Sequence, residues 1–478
     1  MLKQKWLVLV VSWFLILTPS IQTWAALPDF GSPDATIMSP AQEARFGKAF
    51  MRSIWRSQKV ISDPLIKHYI ESLGHTLVSN SDDAQHHFSF FLIRDPAINA
   101  FAGPDGYIGV FSGLLLTAES EDELAAVVAH EIALVTQKHL LRAFSASQKL
   151  TIPMAAVLLG AVLLGAASGS SAGLALALGG QAAIQQNQIN FTRANEKEAD
   201  NIGMQLLKRS RFDTHAMPSF FEKLLKANQN YVSELPEFLR SHPITINRIS
   251  DARARAASYP YQQHDDSLNF KLVQERLRVD QFVKSITALK YYQSRLNKHH
   301  SKMNQAHRYG YALVLMSRYQ YKKALHEINQ LLKKSPLNLF YLSAKAQVLQ
   351  DSGNSNQAIK FLTDALALFP QNEALSIQLA TILNKKRRYQ QAYELISELH
   401  YQDPTNPLLL QMLANISAKR HYPAQARLYL AEFYYVLGLT DVAIKQLENE
   451  LRSTQLSDYF KSRLTAKLQE YKKEQIKH

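Results

Sequence analysis

The sequence contains no cysteine. This absence excludes disulfide bonds, thiolate metal ligands, cysteine nucleophiles and lipid attachment to an N-terminal cysteine. The rest of the composition is ordinary, because 46% of the residues are hydrophobic and 20% are charged, as in globular rather than disordered proteins. The length of 478 residues suggests about three domains. We therefore expect a folded, multidomain protein without covalent cross-links.

The two longest apolar runs fall short of the roughly 20 residues that a membrane-spanning helix requires. The first, Trp6 to Leu17, follows Lys3 and Lys5 and is succeeded by a small residue at Ala25. This pattern predicts a secretory signal peptide, residues 1–25, cleaved near Ala25, rather than an uncleaved membrane anchor. The mature protein is then expected outside the cytoplasm, most simply in a periplasm.

The second run, Ile152 to Ala167, begins an apolar stretch that extends to Ala177 but is interrupted by the sequence G-S-S-A-G. The interruption favours two short helices over one span. We expect a helical hairpin that packs on its own domain, with peripheral contact to a membrane or a client protein as one use of its apolar surface.

Negative charge is also scarce. The formal net charge is +14, and removal of Lys3 and Lys5 with the signal peptide leaves +12. From Ser301 onward, 24 Lys and Arg face 14 Asp and Glu, so +10 of the excess lies in the C-terminal part. A basic surface attracts nucleic acid, anionic lipid or acidic protein segments. Secretion makes nucleic acid the least favoured, so we expect no nucleic-acid partner.

A third absence lies inside the stretch Ser120 to Phe144, which is predicted to be helical because Ser120 and Glu123 form a capping box. In the zinc motif H-E-x-x-H, two histidines on one helix face bind the metal and the Glu activates water. Here His130 and Glu131 are followed by Leu134 where the second histidine should stand. A bare His-Glu pair in an apolar helix is more often an ordinary buried histidine.

No neighbour on the same predicted helix can replace the missing ligand. His139 is nine positions after His130 and would lie on the opposite side of the helix. Gln137 shares the face of His130 but lies about 10 Å further along the axis. Neither side chain is expected to reach a shared metal ion.

A second predicted helix, Gln181 to Ser210, contains the sequence N-E-K-E-A-D. Its Glu196 and Asp200 are four residues apart and therefore share one face. Such a pair is usually solvated surface, but a carboxylate can be the third zinc ligand and a second acid can orient a ligand histidine. The combination with His130 and Glu131, about sixty-five residues earlier, favours a metal site.

The remaining elements of the first half form a small sheet with helices. Helices are predicted at Ser39 to Ser57 and Pro64 to Leu77, a strand at His87 to Ile93, and a hairpin from Asn99–Ala102 and Tyr107–Phe111 around G-P-D-G. One use of such a sheet edge is to hold an extended substrate as an added strand.

The second half contains a repeat. Pro336, Pro370 and Pro404 are spaced by thirty-four residues, and small residues recur twelve and twenty-four positions before each, namely Ala324, Ala358, Ala392, Ala312, Ala346 and Ala380. This is the tetratricopeptide period of two antiparallel helices. Ala414, Ala426 and Gly438 continue the register, a late irregular unit follows, and closing helices run to about Lys473. Such an array binds other proteins on a concave surface.

A basic run, Lys385 to Arg388, falls at the turn inside the third repeat. A solvated turn is the ordinary interpretation of such a run. Contact with acidic segments of a partner complex is the alternative.

The first half resembles the metalloproteases related to the CAAX prenyl protease, and among them the periplasmic members that carry tetratricopeptide repeats. The stretches that carry the resemblance are N-A-F-A-G-P-D-G-Y-I, S-G-L-L, E-L-A-A-V-V-A-H-E-I, Q-K-H, F-T-R-A-N-E-K-E-A-D and S-H-P-I-T-I-N-R-I-S-D-A-R, in this order within residues 27–255. The resemblance implies that His130 and Glu196 bind Zn²⁺, that Glu131 is the general base and that Asp200 is an orienting acid or proton donor. His242 resembles a loop histidine that can occupy the metal's open position and hold the enzyme latent.

These observations together predict a mainly α fold. An α+β zincin-like metalloprotease domain with a small sheet (26–255) is followed by a helical connector (256–300) and an all-α tetratricopeptide solenoid (301–478). The resemblance implies a periplasmic zinc metalloendopeptidase and chaperone-like factor in outer-membrane protein assembly and quality control. Its implied partners are outer-membrane β-barrel proteins and their assembly machinery, bound through the repeats.

Leu134 departs from the family pattern, because a catalytic zinc normally has three protein ligands and this chain keeps two of the usual three. Metal affinity and activity should therefore be impaired. One hypothesis is that His242 becomes the substitute third ligand. The alternative is a pseudoprotease scaffold that binds clients without cleavage.

Overall fold

The computed structural model describes residues 38–57, 59–84, 86–139, 152, 154, 159–160, 193–230, 238–239, 242–262, 264–282, 285–296, 302–453 and 456–476. The chain from Pro40 onward belongs to one compact unit. The predicted signal peptide, nearly all of the predicted hairpin at 152–177 and the first part of the helix predicted at 181–210 lie outside the described residues. None of the described helices is both long and apolar enough to cross a membrane.

The first half consists of helices around a three-stranded sheet. The helices are α1 (Pro40–Arg56), α2 (Pro64–Val78), α3 (Ser112–Thr117), α4 (Glu121–Thr136), α5 (Arg193–Arg209), α6 (Ala216–Asn230) and α7 (Ile246–Ala257). The predicted helices at 39–57 and 64–77 are thus confirmed. Asp63 caps α2 by accepting from the backbone N–H of Leu65 at 3.0 Å.

The sheet has the strand order β1-β3-β2. Strands β2 (Ala100–Ala102) and β3 (Tyr107–Phe111) form the predicted antiparallel hairpin, and β1 (Ser89–Ile93) pairs with β3 in parallel. The hairpin turn places Asp105 and Gly106 at positive φ, 59° and 73°. Strand β2 lies at an edge of the sheet, beside α4.

Helix α4 begins as predicted and ends earlier than predicted. The hydroxyl of Ser120 accepts from the N–H of Glu123, and the carboxylate of Glu123 accepts from the N–H of Glu119. The helix ends at Thr136, because Lys138 adopts a positive φ of 54° that no helix continues. The helical-wheel argument for His139 therefore does not apply, because α4 ends three residues before it.

Helices α4 and α5 pack backbone against backbone at Gly203. A Cβ atom at Gly203 would lie 3.1 Å from the backbone nitrogen of His130 and 3.3 Å from the carbonyl group of Ala129. Glycine therefore permits the close approach that brings the two helices, and the polar side chains they carry, together.

The second half is helical throughout the described residues. The connector contains α8 (Leu268–Gln281) and α9 (Ser285–Gln293), and the repeats contain α10 (Lys302–Ser317), α11 (Tyr321–Lys334), α12 (Leu339–Asp351), α13 (Ser355–Leu368), α14 (Glu373–Lys385), α15 (Tyr389–Gln402), α16 (Pro407–Lys419), α17 (Pro423–Val436), α18 (Thr440–Leu451) and α19 (Asp458–Ile476). The helix pairs follow the predicted thirty-four-residue period. The alanines at 312, 324, 346, 358, 380 and 392 are fully buried, as close helix packing requires.

The last helices of the repeat half contact α1, the first helix among the described residues. The guanidinium of Arg52 lies 3.0 Å from Glu474 and 4.6 Å from the ring centre of Tyr435. Tyr435 in turn stacks on Tyr471 of α19, with ring centres 3.9 Å apart. Helix α1 is thus joined to α17 and α19 by aromatic and charged side chains.

Candidate metal centre

The four polar residues that the sequence singles out on two helices come together in a buried cluster. His130 of α4 and both Glu196 and Asp200 of α5 are nearly inaccessible to solvent. The Nδ1 atom of His130 lies 3.0 Å from Oδ1 of Asp200, and its Nε2 atom lies 3.6 Å from Oε2 of Glu196. Glu131, the neighbour of His130, is completely buried.

His242 joins the same cluster from the loop before α7. Its Nδ1 lies 3.0 Å from Oε1 of Glu196, and its Nε2 lies 3.7 Å from Oε1 of Glu131. The rings of His242 and His130 meet edge to face, with centres 5.2 Å apart. The ring of Phe238 packs on His242 from the other side, with centres 4.8 Å apart. The imidazole is therefore fixed between two carboxylates and an aromatic ring.

Arg248 is a member of the cluster that the sequence analysis missed. Its Nε and one terminal nitrogen each lie 2.8 Å from an oxygen of Asp200, and the other terminal nitrogen lies 2.7 Å from Oε2 of Glu196. The backbone holds it in place, because its N–H donates to the capping hydroxyl of Thr245 and its side chain donates to the carbonyl of Pro243. The available signal was its position in the first turn of a capped helix, six residues after His242.

Leu134 lies beside the cluster but contributes no donor atom. It is 2% exposed and packs with the small side chains of Ala102, Ala133 and Ala199. The structure thus places an aliphatic patch where a histidine would complete the zinc motif.

The two rejected neighbours lie away from the cluster's centre. Gln137 is the residue that caps the end of α4, where its backbone N–H donates to Ala133. His139 is buried beside α5, with its Nε2 3.7 Å from Glu198. Neither side chain has a recorded contact with His130. His139 lies beyond the end of α4 and contacts Glu198 instead.

The pKa of Glu131 is raised. Burial raises it by more than the positive potential of His242 and His130 lowers it. Neither of its carboxylate oxygens has a hydrogen bond of normal geometry to another described group. A buried carboxylate of this kind binds a proton or a cation more readily than an exposed one.

The pKa values of Asp200 and Glu196 are lowered, whereas that of Glu131 is raised. Burial would raise the pKa of Asp200, but hydrogen bonds from His130 and Arg248 outweigh burial and lower that pKa to about 2. Burial also opposes ionisation of Glu196, yet His242, His130 and Arg248 lower its pKa. Burial would lower the pKa of His242, whereas Glu196 and Glu131 raise it. The cluster therefore contains two ionised carboxylates and one carboxylate poised to take a proton.

The donor atoms fit a single divalent cation. One ligand atom from each of His130, Glu131 and His242 lies within 4.8 Å of the others. The ionised Asp200 accepts from Nδ1 of His130, which leaves the lone pair of Nε2 directed at the cluster. That Nε2 atom has no hydrogen-bond partner among the described residues. Imidazole nitrogens and carboxylate oxygens are the donors that zinc prefers after thiolate sulfur.

Comparison with known proteins identifies the families to which parts of the chain are similar. Residues 64–256 match the family model described as Peptidase family M48, and residues 349–416 match a tetratricopeptide repeat model. A putative beta-barrel assembly-enhancing protease of Vibrio cholerae is 36% identical over 77% of this chain and 76% of its own length. The beta-barrel assembly-enhancing protease of Escherichia coli is 33% identical over 92% of this chain and 90% of its own length.

A more distant relative matches a smaller share of the chain. The mitochondrial metalloendopeptidase OMA1 of Schizosaccharomyces pombe is 30% identical over 38% of this chain and 50% of its own length. The resemblance and the fold class predicted from the sequence are thus confirmed. The chain belongs to the family of the beta-barrel assembly-enhancing proteases, and it joins a domain of peptidase family M48 to tetratricopeptide repeats.

Proposed function

We propose that this chain is a periplasmic zinc metalloendopeptidase and chaperone-like factor that acts in outer-membrane protein assembly and quality control, with cleavage weakened by Leu134. The observation that carries the proposal is the convergence of His130, Glu131 and His242 in one buried cluster. Glu196 joins it, 3.6 Å from Nε2 of His130 and 3.0 Å from Nδ1 of His242. The names of its relatives support the process, since they are beta-barrel assembly-enhancing proteases.

His130, Glu196 and His242 are the side chains that would hold the metal. A zinc ion supplies Lewis acidity there, which polarises a peptide carbonyl and lowers the pKa of water. Asp200 keeps the imidazole of His130 in one orientation and one tautomer through the 3.0 Å contact at Nδ1. Its low pKa favours this orienting role over that of proton donor, because an ionised carboxylate has no proton to give.

Glu131 acts as the general base. A carboxylate is an effective base when its pKa lies near the working pH, and burial moves the pKa of Glu131 in that direction. It takes a proton from the attacking water and gives a proton to the departing amine. The apolar walls around it, including Ala102 and Leu134, exclude other water from this exchange.

His242 has two roles in the proposal. Where it contacts Glu196 at 3.0 Å and approaches Glu131 at 3.7 Å, it covers the position that a substrate carbonyl would need. Because it lies this close, its imidazole can also serve as the third metal ligand, which the side chain of Leu134 cannot provide. The same histidine then both completes the metal site and restricts access of substrate to it, which should lower activity.

The experiment is zinc stoichiometry on purified mature protein, compared with His242→Ala and with Glu131→Gln as a control. We expect bound zinc in the unaltered protein, loss of at least about tenfold in affinity in His242→Ala, and retention in Glu131→Gln. Absence of zinc from the unaltered protein and from both variants would refute the substitute-ligand proposal.

A second function is favoured by one observation, the tight aliphatic packing of Leu134 at the ligand position. In this alternative the chain is a pseudoprotease scaffold that binds clients without cleaving them. Proteolysis of an unfolded β-barrel substrate distinguishes the two. A rate equal to that of Glu131→Gln, together with a large gain in Leu134→His, would establish the scaffold alternative.

The location and partners belong to the same proposal. The N-terminal signal pattern supports the periplasm. The repeats support binding of outer-membrane β-barrel proteins or their assembly machinery, since such arrays present extended surfaces to other proteins. Co-purification of those proteins with the full chain, and its loss on deletion of the repeats, is the direct measurement.

A further inference from the structure

The repeat array has two edges of opposite character. The inner edge consists of the turns that end one helix pair and start the next, residues 335–338, 369–372 and 403–406. It faces the protease domain, because Lys67 of α2 lies 3.6 Å from Glu373 and 3.5 Å from Asp403. Acidic residues of the array are thus neutralised by the chain's own first half.

The outer edge consists of the turns inside the helix pairs, residues 318–320, 352–354, 386–388 and 420–422. Helix α14 has 13 residues, so its outer end lies roughly 20 Å from its inner end. In the third and fourth repeats the outer edge carries six cations, which we name the basic edge: Lys385, Lys386, Arg387, Arg388, Lys419 and Arg420.

The turn geometry directs side chains of the outer edge into solvent. Tyr319, Gly353, Arg387 and His421 occupy one turn position at thirty-four-residue intervals, all with positive φ between 60° and 86°. A Cβ atom built on Gly353 would meet no atom within 4 Å, so the position opens into free space. A non-glycine residue there costs about 1 kcal/mol. Three of the repeats bear that cost, and two of them present Arg387 and His421.

The basic edge is not neutralised by the described part of the chain. The recorded polar contacts of its members go to amide groups: Arg388 to Gln391, Lys419 to Asn384 and Arg420 to Gln390. The guanidinium of Arg420 also lies 4.0 Å above the ring of Tyr393. The ion pairs of the repeat region involve other cations, such as Arg308, Arg427 and Lys472. Six positive charges therefore lie together at this edge without an ion pair to a described residue, although Arg388 lines a groove with Glu394 and Glu398.

We propose that the basic edge binds an acidic, Asp- and Glu-rich segment of a protein partner. Cations on two successive turns form a short row along the array, which suits an extended chain better than a point ligand. Arg388 and Arg420 are held by neighbouring amides, so their planar groups are already oriented for carboxylates. Among the described residues of these two turns, Tyr422 is the only exposed large hydrophobic side chain, which is little apolar surface for insertion into a bilayer.

This surface goes beyond the proposed function, because it requires neither zinc nor cleavage. It also leaves the inner edge and the protease domain in contact, so a partner can bind while the two halves of the chain stay joined. The partner's attraction is electrostatic and therefore sensitive to salt.

The test uses the full mature chain and a short fluorescent peptide of alternating Glu and Gly, with a Gln-for-Glu peptide as the neutral probe. The edge variant is Lys386→Glu, Arg387→Glu and Lys419→Glu. The control variant makes the same charge change at exposed lysines elsewhere in the repeats, Lys360→Glu, Lys445→Glu and Lys461→Glu. We expect fluorescence anisotropy to show binding of the acidic peptide weakened by about tenfold or more in the edge variant and by less than about twofold in the control.

Arg387→Gly separates binding from folding. It removes one charge and at the same time places glycine at a left-handed position, so stability should stay equal or rise while binding of the acidic peptide falls. Zinc content and proteolysis should not change in any edge variant, which keeps this test independent of the metal site.

Two results would overturn the proposal. Equal weakening in the edge and control variants would show only a general response to net charge. Loss of binding to phosphatidylglycerol vesicles in the edge variant, with peptide binding intact, would assign the surface to a membrane instead.

Discussion

Arg248 binds Asp200 with two nitrogens, each 2.8 Å from a carboxylate oxygen. The two contacts fix the carboxylate of Asp200, which in turn contacts Nδ1 of His130. A residue in the first turn of α7 therefore helps to set the orientation of a predicted zinc ligand. The arrangement joins three separate segments of the chain and explains why the cluster is ordered although its metal motif is incomplete.

Replacement of Arg248 should destabilise the protein strongly. Arg248→Ala leaves Asp200 and Glu196 buried without their cation, which costs about 3 to 5 kcal/mol for a broken buried pair. Arg248→Lys keeps the charge but not the two hydrogen bonds to Asp200. Its loss of stability should therefore be smaller than that of Arg248→Ala. Urea unfolding measures the change. The matched control is Arg253→Ala on the same helix, whose exposed pair with Glu222 should contribute less than about 1 kcal/mol; equal losses at both positions would contradict the assignment.

The acid stability of the metal-free protein should depend on Asp200. Burial opposes ionisation, but hydrogen bonds from His130 and Arg248 lower the folded pKa to about 2, below the ordinary value of 3.8. A lowered pKa stabilises the fold above about pH 4, and the stabilisation is lost as the pH falls through about 2. Its size is about 2 kcal/mol.

Unfolding free energies of chelator-treated protein between about pH 5 and pH 2 test this prediction. Asp200→Asn should be less stable than the unaltered protein near pH 5, and the difference should shrink toward pH 2. Asp251→Asn, which removes a half-exposed carboxylate near Lys197, serves as the control and should change the profile little. A constant difference for Asp200→Asn at every pH would contradict the pKa shift.

The effect of Leu134→His on stability should change sign when zinc is added. Without metal, an imidazole among Ala102, Ala133 and Ala199 is buried without a partner and should lower stability by about 1 to 3 kcal/mol. With zinc, the completed motif should raise metal affinity by about 10 to 100-fold and raise the melting temperature above that of the unaltered protein. Leu134→Met, which conserves volume, is the control and should show neither effect. Thermal unfolding with and without zinc measures both.

Arg52→Ala should loosen the contact between the first helix and the last repeats. Its guanidinium pairs with Glu474 at 3.0 Å and covers the ring of Tyr435. The loss should be about 1 to 2 kcal/mol, since both contacts are partly buried. Faster amide hydrogen exchange in α1 and α19 would report it. Arg463→Ala, an exposed cation on α19, should leave the exchange of α1 unchanged; if both variants behaved alike, the contact would be unimportant.

The sequence predicts features that depend on neighbours along the chain. The cap at Ser120, the hairpin around Asp105 and the thirty-four-residue repeat all follow from local chemistry, and the structure has them. A local signal was also overlooked. Asn338, Asn372 and Asn406 each cap the first helix of a pair, two residues after the repeat's proline, with the same spacing as the alanines.

Features that depend on distant segments could not be predicted in the same way. Parallel pairing of β1 with β3 joins residues that are 18 apart and leaves no periodic trace. The end of α4 depends on a lysine in a left-handed conformation, which sequence propensities disfavour. Arg248 reaches Asp200 across 48 residues. Its role becomes evident only when α5 and α7 lie side by side.

The contact at Gly203 makes the spacing of α4 and α5 independent of the side chains that would bind the metal. Because α4 and α5 rest on each other through main-chain atoms, the distance between His130 and Asp200 is set by the scaffold and not by the length of any ligand side chain. A substitution such as leucine at position 134 can therefore subtract a donor without parting the helices. In evolutionary terms, a metal ligand in this architecture can be lost or regained by a single replacement while the packing of the two helices stays the same.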